Sequence, residues 1–174
     1  EHVVKCLVFY HPDDPAALRA EQDALLLEVW QACNKSGHEL LLEVILPENG
    51  PDKDERHYHT MLEHFYQLGI KPDWWKLPPL SSASWQQITA LIEREDPWSR
   101  GILILGLDAP SDKLRAGFAE AAAHPMIKGF AVGRTIFGQP SRRWMQGELS
   151  DEALIEEVKR NYLTLIGYWR EARR

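Results

Sequence analysis

Three charged side chains interrupt segments that are otherwise apolar. Lys5 lies within Val3–Phe9, Glu43 within Leu40–Leu46 and Lys76 within Trp74–Leu77. A charge inside an apolar strand is costly unless it is paired or used. Period-2 alternation puts Lys5 on the face of Val3 and Leu7, Glu43 on the face of Leu41 and Ile45, and Lys76 on the face of Trp74. If those faces are one, two lysines and a glutamate converge. A lysine attacks a carbonyl only as the neutral amine, a form favoured by burial or a second cation nearby. Trp74, Trp75, Pro78 and Pro79 would wall Lys76, and Lys5 would be the second cation. Glu43 would move protons during carbinolamine formation and carbon–carbon cleavage. A purely structural Lys–Glu pairing would use the same three residues, and the pattern leaves both readings open.

A second constellation is suited to an anion. Gly106-Leu107-Asp108-Ala109-Pro110 and Gly133-Arg134-Thr135 each follow a predicted strand, with Arg134 closing the last one. Backbone N–H groups freed by Gly106 and Gly133 could bind a phosphate together with a helix N-terminus, and Arg134 would add charge-assisted hydrogen bonds. Ordinary turn glycines and a surface arginine are the alternative. Neither GxGxxG nor a Walker A sequence is present, which argues against a self-contained nucleotide site. His57, His59 and His64 fall on a predicted helix start or exposed helix face without an HExxH pattern, so no metal site is expected. His11, ending the first strand before Pro12, is the better candidate for an active-site rim. The seven tryptophans read mainly as packing residues.

Short β-rich runs alternating with helical periodicity must position these groups. Strands are expected at Val3–Phe9, Leu40–Leu46, Trp74–Leu77, Gly101–Leu107 and Gly129–Arg134. Between them, Leu18 to Cys33 recur at helical spacing before Gly37, and Met61 to Leu68 before Gly69. Further helices carry Trp85 to Ile92, Leu114 to Ala122, and a long C-terminal stretch from Ser150 to Trp169. Such alternation predicts an α/β protein with a parallel sheet, and near-continuous apolar strands agree. Two architectures fit: an open doubly wound sheet, or part of a (β/α)8 barrel. A length of 174 residues favours the first, since a whole barrel takes about 250. Charges placed at strand ends favour the second.

Composition narrows the class. The net charge of −6 argues against a nucleic-acid partner. No apolar run is long enough for a membrane span. Cys6 and Cys33 lie in apolar segments without zinc spacing, in keeping with a reduced, cytoplasmic setting. The chain starts at Glu1 and runs at once into a strand, which suggests a piece of a longer protein.

Five segments occur in an order that resembles a known family: VKCLVFYHPDD (Val4–Asp14), HELLLEVILP (His38–Pro47), GIKPDWWKLPP (Gly69–Pro79), RGILILGLDAP (Arg100–Pro110) and KGFAVGRTIF (Lys128–Phe137). Together they resemble the C-terminal domain of bacterial bifunctional 5-dehydro-2-deoxygluconokinase/5-dehydro-2-deoxyphosphogluconate aldolases of myo-inositol catabolism. That domain is in turn similar to class I tagatose-1,6-bisphosphate aldolases, which are (β/α)8 barrels needing no metal or other cofactor. The resemblance implies a partial TIM barrel over residues 1–174, its five strands corresponding to barrel strands four to eight. It implies a Schiff-base lysine at Lys76, in a D-x-x-K context begun by Asp73, with Glu43 as proton shuttle and Lys5 tuning the lysine or touching substrate. Gly106, Gly133 and Arg134 would bind phosphate. Those aldolases carry a serine and small residues in the loop where Gly106 and Leu107 stand here. The implied reaction cleaves 2-deoxy-5-keto-D-gluconate 6-phosphate to dihydroxyacetone phosphate and malonate semialdehyde. The implied partners are the upstream half-barrel and a sugar-kinase domain in the parent chain, with a homo-oligomer also compatible. A non-catalytic or regulatory phosphosugar-binding domain attached to that kinase is the rival reading.

Overall fold

Each aliphatic or aromatic run becomes a strand, and each strand feeds a helix. The computed structural model describes residues 2–174. Its strands are β1 (Val3–Phe9), β2 (Glu39–Ile45), β3 (Trp74–Leu77), β4 (Gly101–Leu105) and β5 (Ile127–Ala131). The helices are α1 (Ala16–Ser36), α2 (Arg56–Gln67), α3 (Ser82–Glu95), α4 (Ser111–Ala121), α5 (Arg134–Met145) and α6 (Asp151–Ala172). No helix among the described residues is long and apolar enough to cross a membrane.

All neighbouring strands pair in parallel, in the order β1-β2-β3-β4-β5. Consecutive order with right-handed crossovers puts every connecting helix on one side of the sheet. A doubly wound sheet would reverse its strand order and carry helices on both sides. This chain is therefore α/β of the partial (β/α)8-barrel kind. Burial agrees. Leu42, Val44, Trp75, Leu77, Ile102 and Ile104 are fully buried and belong to the core shared with the helices. The other face carries Lys5, Glu43 and Lys76, and Val3, Leu7 and Phe9 are exposed on it.

Local chemistry fixes the ends. Gly37 closes α1 in the left-handed conformation (φ 70°), where a glycine has no Cβ to clash. Ser81 caps α3 by accepting the Ser84 N–H, and Ser150 caps α6 by accepting that of Ala153. Glu55 holds the Ser81 cap in turn, accepting the Ser81 N–H at 2.9 Å and the Ser81 hydroxyl. Asp73 ties three strand starts together. Its carboxylate accepts the Leu40 N–H at 2.9 Å, and its carbonyl accepts the Arg100 N–H at 2.8 Å.

The strand ends differ from expectation in two places that matter. β4 stops at Leu105, because Gly106 to Ala109 form a tight turn closed by the Ala109 N–H donating to the Gly106 carbonyl at 2.8 Å. β5 stops at Ala131, so Arg134 does not close that strand. It opens α5, a helix not expected from periodicity, because Gly138 and Pro140 interrupt its apolar pattern. β2 begins one residue early, at Glu39.

Gly117→Ala tests the packing of α4. Alanine ordinarily improves a helix interior, but a Cβ here would overlap the Pro79 side chain. The variant should be less stable than the parent in urea unfolding. Glu55 tests the α3 cap through pH. Burial pushes its carboxyl up, but hydrogen bonds from Ser81 and Ser84 outweigh that and hold it below the ordinary 4.5. A carboxylate lowered in the folded state contributes stability above its ordinary value and loses it as pH falls through the folded one. Unfolding midpoints should therefore fall below about pH 4.5, and Glu55→Gln should flatten that dependence.

Candidate active site

The parallel register sets three neighbouring residues at one level: Leu7 pairs with Glu43, and Glu43 with Lys76. Lys5, two residues before Leu7 on the same face, extends its long side chain to this level. Glu43 Oε1 is 3.1 Å from Lys76 Nζ, and Glu43 Oε2 is 2.6 Å from Lys5 Nζ. The side chains of Glu43 and Lys76 are 7% and 15% exposed, that of Lys5 48%. Glu43 is thus a buried anion shared by two cations, one mostly covered and one half in water. Oε2 is buried without a directed hydrogen bond, so its contact with Lys5 is one of charge.

The expected apolar wall around Lys76 is different in kind. Trp75 points to the helix side, where its Nε1–H donates to the Tyr66 hydroxyl at 2.9 Å. Trp74 shares the Lys76 face but lies nearer the strand start, donating to Glu39 Oε2 at 2.8 Å. Alternation along β3 forces one tryptophan to each side. Asp73, which opens the D-x-x-K sequence, lies at the far end of β3 from Lys76 and sets register.

All six residues singled out for chemistry line one cavity of about 300 Å³: Lys5, Glu43, Lys76, Gly106, Gly133 and Arg134. The end at which an anion was expected is built by α5. Gly133 precedes the helix and its carbonyl accepts the Ile136 N–H at 2.8 Å, which leaves the N–H groups of Arg134 and Thr135 without a helical partner. Arg134 and Thr135 line the same wall. A Cβ at Gly106 would stand 2.8 Å from Val132 Cγ1, so glycine is what lets the loops after β4 and β5 meet. The Thr135 hydroxyl fastens them by donating to the Ala109 carbonyl at 3.0 Å. The turn between them holds Leu107 at φ 45° and Asp108 at φ 59°, two non-glycine residues in the left-handed region, where strain tends to collect at functional sites. Thr135 and Asp108 were not singled out from the sequence. The helix beginning at Gly133-Arg134-Thr135 would have exposed the first, had Pro140 not masked it.

The histidines are not a solvated face. His64 Nε2 bonds Asp23 Oδ2 at 2.9 Å, and His57 Nε2 lies 2.6 Å from Asp52 Oδ1. His11 is not on the cavity rim; it is fully buried. His11, Asp52 and His57 each bring a ligand atom within 4.8 Å of the others, a spacing that could suit a metal. The hydrogen-bond roles oppose that use. The Asp13 N–H, which can only donate, meets His11 Nδ1 at 3.1 Å, so the ring proton is on Nε2 and points to the Asp52 carbonyl at 3.2 Å. Both nitrogens of His11 are spent: Nδ1 on the turn at Asp13 just after β1, and Nε2 on tying the loop after β2 to it.

A five-stranded arc of βα units with a lysine–glutamate–lysine cluster at one level and a helix N-terminus above it defines a class of barrel-type protein with a polar site at its strand ends. Over residues 1–173 the chain matches the model of a family described as "Uncharacterized protein conserved in bacteria (DUF2090)", and it belongs to that family. A search of curated proteins found no match.

The shared carboxylate and its half-exposed partner should respond unequally to mutation. Glu43→Ala leaves a buried ammonium unpaired and should cost about 3 kcal/mol. Lys5→Ala removes a half-exposed partner and should cost at most about 1 kcal/mol. Urea unfolding measures both.

Proposed function

We propose that this domain is a class I aldolase, a lyase that forms a Schiff base at Lys76 with a phosphorylated keto sugar acid. The carrying observation is the 3.1 Å contact between Lys76 Nζ and Glu43 Oε1, inside one cavity with the α5 N-terminus and Arg134. The nucleophile and a proton acceptor are in reach of each other, and an anion site stands on the same wall.

Following the family resemblance, the substrate is 2-deoxy-5-keto-D-gluconate 6-phosphate of inositol catabolism, and the setting is cytoplasmic. The Lys76 amine adds to the C5 ketone, and loss of water from the carbinolamine gives an iminium. Glu43 takes the proton of the C3 hydroxyl. The C3–C4 bond breaks, its electron pair flows into the iminium as an enamine, and C3 leaves as the aldehyde of malonate semialdehyde. Glu43 supplies the proton that returns to C4. Hydrolysis then frees dihydroxyacetone phosphate and regenerates the amine. The positive charge of Lys5 beside Glu43 limits the negative charge the site must carry. Gly106, Gly133 and Arg134 hold the phosphate throughout, with the N–H groups of the α5 first turn beside them. The chain functions beside the remaining barrel strands and a sugar-kinase domain.

Borohydride reduction in the presence of dihydroxyacetone phosphate, followed by peptide mass spectrometry, tests this reading in the polypeptide at its natural length. A reduced adduct on Lys76 that is lost in Lys76→Met is the expected result. Saturable phosphosugar binding without an adduct would replace it with the binding-domain reading.

A further inference from the structure

Beside the cavity of the lysine cluster, and sharing Phe9, Ile45, Leu107, Asp108 and Arg134 with it, lies a larger mouth of about 930 Å³ lined by two cations from opposite flanks. Arg134 stands on the loop after β5. Lys53 stands on the loop after β2, three strand steps away, or about 14 Å along a sheet. Lys76, on β3, lies between them in strand order. The phosphate role uses only Arg134 and leaves Lys53 unexplained.

The loop around Lys53 is built. Buried His11 donates to the Asp52 carbonyl at 3.2 Å, and the Asp54 N–H donates to Asp52 Oδ1 at 3.1 Å, so the backbone is fixed on both sides of Lys53. The flanking acids are taken by other cations. Asp52 pairs with His57 at 2.6 Å and Asp54 with Arg56 at 2.5 Å. Glu55, also on the mouth, is spent on Ser81. Lys53 is left to face the cavity as an ammonium held by none of these neighbours. Glu48 and Asp108 also line the mouth, so a negative group is attracted only where it can reach one of the two cations.

We infer that Lys53 is a specificity-determining residue that binds a second anionic group, a carboxylate, at the end of the substrate opposite the Arg134-bound phosphate. This rests on the aldolase reading and adds to it a residue for the carboxylate end of the substrate which that reading names. In the condensation direction the two anions arrive on separate molecules, so Lys53 acts on the aldehyde alone. It discriminates an acidic aldehyde from a neutral one, whereas Arg134 acts on the ketone donor.

The test measures condensation of dihydroxyacetone phosphate with malonate semialdehyde and with propanal, in the natural-length polypeptide. The ratio of the two kcat/KM values is the readout, and borohydride trapping at Lys76 is measured alongside. In Lys53→Gln and Lys53→Met the preference for the acidic aldehyde should fall about 10- to 100-fold, as expected for loss of one charge-assisted hydrogen bond. Lys53→Arg should restore most of it. An adduct at Lys76 with the preference unchanged in both variants overturns the role of Lys53 and leaves the aldolase reading standing. No adduct in the parent protein overturns that reading, and the role of Lys53 with it.

Discussion

A single buried carboxylate organises the polar face of this fold. Glu43 sits at one register level with Lys76 and reaches Lys5, and each of its oxygens faces a different ammonium. Glu43 and Lys76 would be costly there alone, because an unpaired charge in a parallel strand forfeits its hydration, whereas Lys5 stays half in water. With three present, the cluster carries one net positive charge on a face otherwise apolar along β1. That face is left uncovered by the helices, which all lie on the opposite side. The asymmetry follows from strand order. Sequential parallel strands concentrate the apolar core on one face and leave the other for chemistry.

The same arrangement separates positioning from reactivity. Asp73 at the start of β3 fixes the register that brings Glu43 level with Lys76, yet it sits at the other end of the strand. Trp75 anchors β3 from the helix side through Tyr66. Gly106 and Thr135 bring two loops close enough for the α5 N-terminus to look into the cavity. His11 performs a similar service on the far flank, where its two nitrogens join the loops after β1 and β2. Each of these residues touches backbone or a neighbouring side chain and fixes where a charged group can stand.

Much of this was legible in the sequence, for a definite reason. Lys5, Glu43 and Lys76 stand out because strand alternation is strict and a charge in an apolar run breaks it. β1 and β3 end where expected, and α1 closes at Gly37 as expected, because their signals are local. What was not legible depended on distance in the chain or on conflicting local signals. Pro140 and Gly138 hid α5, and with it the fact that Arg134 begins a helix. The partnership of His11 with Asp52 spans 41 residues and has no periodic signature. Alternation turns Trp75 away from Lys76, but it could not show that its partner there is a tyrosine on α2.

These buried contacts also bear on how one fold can hold several opposite charges without collapsing them into pairs. Around the mouth, Asp52, Asp54 and Glu55 are each satisfied within their own loop or by the cap of α3. Each of these three carboxylates is already engaged by a nearby donor and would have to give up that contact to reach Lys53. Local satisfaction of the acids is therefore what keeps Lys53 available, just as Glu43 keeps Lys76 ordered. The site is shaped as much by where negative charge has been committed as by where positive charge is displayed.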